Sequence, residues 1–157
     1  MRTASIVIVV AFAHAAWAQG GAKVKYPEGY RTWAHVKSMV IEEGHPLHEA
    51  FGGIHHVYAN EKARRALAAG KGRYPDGAVF VFDLLEARAE ENAITEGPRK
   101  VVGVMQKDAK QFASTGGWGF EGFKGDTRER VVTDMKSCFD CHAPQKERGF
   151  VFSEARK

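Results

Sequence analysis

Past residue 18 the chain has no apolar run long enough to cross a bilayer. It has no block of Lys or Arg, no internal repeat and no low-complexity segment. The first absence leaves no later membrane helix. The second removes the usual footprint of a nucleic-acid or membrane-surface binder, although the net charge is +4 and the pI about 9.1, because basic residues are interleaved with acids. Cysteine is scarce as well: Cys138 and Cys141 are the only two. A bridge between residues so close would shut a tiny loop and staple nothing, so a stabilising disulfide is not the expectation. What is left is an ordinary globular balance, 44% hydrophobic and 27% charged, in a length of 157 residues that suits one domain.

The first eighteen residues are unlike the rest. Arg2 is their only charge, Ala4 to Ala13 is apolar, and Ala16-Trp17-Ala18 offers an A-x-A cleavage site. That is the layout of a secretory signal peptide. The expectation is a periplasmic protein cleaved after Ala18, with a single domain over 19–157 and no membrane span after cleavage.

The two cysteines and the next residue form C-x-x-C-H: Cys138, Cys141 and His142. Each thiol can add to one vinyl group of haem, and the adjacent histidine then falls under the iron. The motif therefore implies one haem c, covalently bound through two thioethers, with His142 as proximal iron ligand. A thioredoxin-like pair normally opens a helix early in a βαβ unit, and no such unit surrounds this motif. A zinc site needs further ligands at finger spacing, which are lacking. After His142 the sequence holds neither Met nor His. A second axial ligand is therefore expected from upstream, among Met39, Met105, Met135, His35, His45, His48, His55 and His56, or the sixth position is open.

Along the chain, Asn60 and Gly70 bracket a capped helix whose Ala63, Ala66 and Leu67 share a face. Tyr74-Pro75-Asp76-Gly77 is a type I turn signature. The run from Ala78 to Leu85, apolar except for Asp83, reads as a buried strand. Ile54 to Tyr58 and Lys100 to Met105 read as further strands, Asp108 to Ala113 as a short helical turn, and Thr127 to Met135 as a helix leading into the motif. The glycines around Trp118 mark a tight turn or strand start. A four-helix bundle, which some cytochromes adopt, needs four long 3.6-period segments that this chain lacks.

In order and spacing, Tyr26-Pro27-x-Gly29-Tyr30-Arg31-x-Trp33, Phe51, Ile54-His55-His56-Val57-Tyr58, Asp76 to Leu84, Lys107 to Phe112, Trp118-Gly119-Phe120, the C-x-x-C-H motif and Phe150-Val151-Phe152 resemble the cytochrome P-460 family, which includes the cytochrome c′-beta proteins. The resemblance spans nearly the whole chain after residue 18. It implies an α+β fold, an antiparallel β-sheet with flanking helices and the haem packed against the sheet, and a homodimer.

Within that family one branch oxidises hydroxylamine, using a lysine cross-linked to the haem and a distal carboxylate. Matching the blocks puts Phe82 at the lysine position, Gly103 at the carboxylate position, and His55 where that branch has an arginine. A cross-link needs a primary amine and a general base needs a titratable group; Phe82 and Gly103 supply neither. The other branch caps its distal face with phenylalanines, matched here by Phe51 and Phe82, and binds small neutral gases. An apolar lid excludes water and anions, admits an uncharged diatomic, and gives bound O₂ no hydrogen bond. The resemblance thus implies nitric oxide or a similar diatomic as ligand, with Phe51 and Phe82 as distal cap and His55 and Gly103 as pocket lining. Arg31 is a candidate partner for a haem propionate, and Met105 and the two phenylalanines are also natural core residues. Two other functions stay open at this stage. One is oxidation of hydroxylamine or nitric oxide with electrons passed to a partner cytochrome, and the other is simple electron transfer with Met105 or a histidine as second ligand.

Overall fold

The computed structural model describes residues 23–156. The signal-peptide reading of 1–18 lies outside the described residues. The centre is a five-stranded antiparallel sheet in which chain order and spatial order coincide: β1 (Ala34–Ile41), β2 (Gly53–Ala59), β3 (Val79–Glu90), β4 (Ala93–Lys107) and β5 (Trp118–Lys124). Three short helices accompany it: α1 (His48–Phe51) between β1 and β2, α2 (Glu61–Ala69) between β2 and β3, and α3 (Met135–His142) after β5. The fold is α+β and not a helical bundle, as the sequence predicts.

Local chemistry explains most of the elements. The Asn60 side chain accepts from Ala63 N at 3.0 Å, capping α2, and from Val79 N at 3.1 Å, tying that cap to the start of β3. Gly70 ends α2 at φ +64°, the left-handed conformation that favours glycine. β3 is rich in Val and Phe, which suit a pleated, buried surface. It runs past the rest of the sheet with β4 as a two-stranded arm. The arm closes at Glu91 and Asn92, both at positive φ (50° and 63°), the pair a two-residue hairpin needs to match strand twist.

Side chains alternate between two faces. In register across β5, β4, β3 and β2 stand Phe120, Met105, Phe80 and Ala59. With Val36, Trp118 and the α2 residues Ala63 and Leu67 they form one core cluster, and Met135, Cys138 and Phe139 of α3 pack against it. The opposite face carries Val81, Val102, Val104 and Phe123, covered by Val24, Tyr30 and Phe112. On that face sits Asp83, 0% exposed, held by Arg99 at 2.6 Å and Arg31 at 3.1 Å.

Two expectations need correction, and the short helical turn is found with slightly different bounds. Residues 127–134 are not helical. Val131 N donates to Gly122 O at 2.9 Å and Arg130 bridges Phe123, so this stretch runs beside β5. Three β-branched residues in a row, Val131-Val132-Thr133, disfavour a helix there, and Asp134 caps one immediately afterwards. Asp108 to Phe112 makes one turn, closed by Phe112 N to Asp108 O at 3.0 Å, and the 3-10 turn follows at Ala113–Thr115. Arg31 belongs to Asp83 and Glu96 on the face away from α3, so it is not placed to meet a propionate on the α3 side.

Candidate haem site

α3 is the frame of the site. The Asp134 carboxylate accepts from Lys136 N and Ser137 N, at 2.9 and 3.2 Å, which satisfies two orphan donors of the first turn. Met135, Cys138 and Phe139 turn toward the sheet, while Lys136 and Asp140 pair on the outside at 2.6 Å. Cys138 and Cys141 are both free thiols, the first half-buried and the second exposed. Their i, i+3 spacing puts both sulfurs on one side of the helix, and His142, four residues after Cys138, shares that side. Burial pushes the Cys138 thiol pKa up.

His142 is oriented by backbone. Its Nδ1 lies 2.7 Å from the Phe150 carbonyl, which can only accept, so Nδ1 carries the proton and Nε2 is the bare nitrogen. The ring sits between Phe120 and Phe152, with centroids 5.0 and 4.9 Å away. Burial lowers the His142 pKa, opposed in part by the bond to Phe150. A neutral imidazole fixed through Nδ1 with Nε2 to spare is what an iron ligand requires. The carbonyl reaches it because Gly149 and Phe150 are both left-handed, at φ +67° and +68°. For Phe150 that costs about 1–2 kcal/mol. The turn is held by Phe150 N to Gln145 O at 2.8 Å and by Trp118 Nε1–H to Gly149 O at 2.9 Å.

On the same sheet face, two residues further along the strands, the side chains shrink. Gly103 of β4 stands opposite Gly122 of β5, and their missing side chains let Phe82 settle over residue 103 and Val131 and Val132 over residue 122. Phe82 is the cross-strand partner of Gly103 and its ring leans over it: a Cβ on residue 103 would come 2.6 Å from Phe82 Cδ1. Phe51, 41% exposed, meets Phe82 edge-on with centroids 5.9 Å apart. His55, 2% exposed, lies 4.7 Å from the Phe82 ring and donates Nε2–H to the Phe51 carbonyl at 2.5 Å. Asp83, next to Phe82, points to the other face.

These residues fit a haem. Phe82, Val131 and Val132 line the glycine pair, and Phe51, Val131 and Phe152 are exposed large apolar side chains of the kind a haem would cover. From Phe120 to Phe82 the register spans two strands and two residues, roughly 12 Å along the sheet, which separates His142, packed on Phe120, from Phe82. The structure thus gathers Cys138, Cys141 and His142 on α3, and Phe51, Phe82, His55 and Gly103 into one apolar cluster. Met105 is buried in the core beside Phe80 and Phe120. His56 is on the opposite face, bonded to Ser38 and to Glu96, each at 2.7 Å. Residues without a role in the sequence reading are Phe120 and Phe152, which flank His142, and Phe150, which acts through its carbonyl. Gly122 could have been found, since a glycine inside a strand signals close approach.

A β-meander that seats a backbone-anchored histidine beside two cysteines and a row of apolar side chains has the parts of a haem-binding cytochrome. Residues 27–153 match the family model for Cytochrome P460, and the chain belongs to that family. Among curated proteins none matches it.

Proposed function

We propose that this chain is an exported, mono-haem c-type cytochrome of the cytochrome c′-beta kind, binding nitric oxide or a similar diatomic gas at a five-coordinate iron. The observation that carries the reading is the seat of Phe82 over Gly103 with Phe51 edge-on to it. The side that would face the sixth position carries phenyl rings; beside them the His55 imidazole commits its N–H to the Phe51 carbonyl, and the His48 ring lies against Gly52.

When bound, haem supplies the iron that takes the gas. The chain's own residues do the rest. Cys138 and Cys141 hold the group by thioether bonds, so it stays when the iron changes ligand. Phe150 fixes the tautomer of His142 and keeps Nε2 directed outward. Phe51 and Phe82 exclude water and anions and offer bound O₂ no hydrogen bond, which favours nitric oxide. The role would be binding, buffering or scavenging in the periplasm, as a homodimer, with a small cytochrome as redox partner where turnover of the iron is needed.

The test is the optical spectrum of the ferrous protein before and after adding nitric oxide. A high-spin, five-coordinate spectrum that shifts on addition supports the reading; a low-spin, six-coordinate spectrum without ligand overturns it. Haem that survives acidified-solvent extraction in wild type, and is lost from the Cys138→Ala/Cys141→Ala variant, reports the thioethers.

A further inference from the structure

We infer that His55 and Lys100 are two latches that hold the Phe51 side of the sixth site shut and so set how fast a diatomic ligand enters; this rests on the gas-binding reading above. Two adjacent carbonyls are each gripped by a side chain from a different strand. His55 of β2 donates to Phe51 O at 2.5 Å, and Lys100 of β4 donates Nζ–H to Gly52 O at 2.8 Å.

The segment they grip has little else to hold it. Residues 42–51 are all exposed, and α1 is a single turn. Its other hydrogen bonds run within the segment: His45 N to Glu42 O, His48 N to His45 O, Phe51 N to Leu47 O and Gly52 N to His48 O. At its base Gly53 adopts φ +129°, a conformation that favours glycine, and the buried pair Gly52-Gly53 leads the chain into β2. A piece with few buried contacts opens at low cost unless specific bonds close it.

His55 also joins the two halves of the cap. It bonds the backbone of Phe51 and packs its ring on Phe82, which Phe51 meets edge-on. If the bond to Phe51 breaks, the ring that covers Phe82 is free to swing with its segment. Lys100 acts one residue further on, against Gly52, whose Cα faces the His48 ring. Both are positioning residues: neither needs to touch the gas.

The experiment uses the haem-loaded protein and four forms: wild type, His55→Leu, His55→Gln and Lys100→Met. Two quantities are measured in each, the CO association rate of the ferrous protein after flash photolysis and hydrogen–deuterium exchange of residues 42–52. A net hydrogen bond shifts an open–closed ratio by roughly a factor of ten. His55→Leu and Lys100→Met are therefore expected to raise both quantities about tenfold. His55→Gln, which still presents an N–H, is expected to stay within about twofold of wild type. Equal effects of Leu and Gln at residue 55, or unchanged exchange in Lys100→Met, overturn the latch. If His55→Leu does not accumulate, the Lys100→Met comparison decides alone. A wild type that binds no CO sinks the gas-binding reading, while the exchange measurements still decide the latches.

Discussion

Phe82 rests on Gly103 so closely that the two positions are one structural unit: the ring occupies the space where any other residue's Cβ would stand, 2.6 Å from Cδ1. The pair is in register across β3 and β4, on the face that carries α3. How the Phe82 ring lies on the sheet is therefore set by an absent side chain.

Gly103→Ala must push the Phe82 ring off its seat. Overpacking of this kind costs about 1–3 kcal/mol, read as a shift in denaturant midpoint, and it alters CO association because the cap has moved. In a Phe82→Ala background the same change is expected to cost almost nothing, since the clash is gone. Equal costs of Gly103→Ala in the two backgrounds would show that the pair does not interact.

Asp83 is the buried anion of the opposite face, with no exposure, and Arg99 and Arg31 are its cations. Asp83→Ala removes the buried anion that Arg99 and Arg31 share and leaves Arg99, only 11% exposed at its side chain, with Asp126 as its ion-pair partner; it is expected to cost about 1.5–3 kcal/mol. Arg31 is 48% exposed at its side chain, so Arg31→Ala is expected to cost much less, about 1 kcal/mol or under. Urea unfolding of the two variants checks the order; the reverse order breaks the account.

His55 gives the fold a pH dependence. Burial lowers its pKa below the ordinary 6.5 despite the bond to Phe51. Below pH 6.5 the unfolded chain takes up a proton that the folded chain refuses, so stability is full above that pH and falls on acidification toward the folded value, by up to about 1.4 kcal/mol per pH unit. Unfolding free energies between pH 7 and 5 are expected to fall less steeply in His55→Gln than in wild type. Identical slopes remove His55 from the account. His142, also lowered by burial, adds a slope of the same sign that this variant leaves intact.

Gly149 is the hinge that delivers the Phe150 carbonyl to His142. Its φ of +67° disfavours a side chain, and a Cβ there would run into the Gly72 carbonyl. Gly149→Ala is expected to cost roughly 1–3 kcal/mol and to weaken the bond to His142 Nδ1. The reporter is the iron–histidine stretch in the resonance Raman spectrum of the ferrous protein, which is expected to drop in frequency as the imidazole loses its acceptor. An unmoved band would mean that the carbonyl stays in place without this turn.

The sequence by itself determined what is local. Two cysteines and a histidine at fixed spacing imply haem; Asn60 and Gly70 bound α2, and the Val-Phe run of β3 declares a buried strand, because caps, turns and two-residue alternation need only neighbours in the chain. The start of α3 was not legible: Thr127 to Met135 reads as a helix, although this stretch runs beside β5 and Asp134 caps α3, because its β-branched run pairs with a partner the sequence does not name. Only the tertiary structure decided the faces and the carbonyls. It sent Arg31 to Asp83, set Phe82 over Gly103, and tied Phe51 through His55 and Gly52 through Lys100. It also aimed the backbone oxygen of Phe150 at His142. Register across strands and the direction of a carbonyl belong to the whole folded sheet, and no residue type records them.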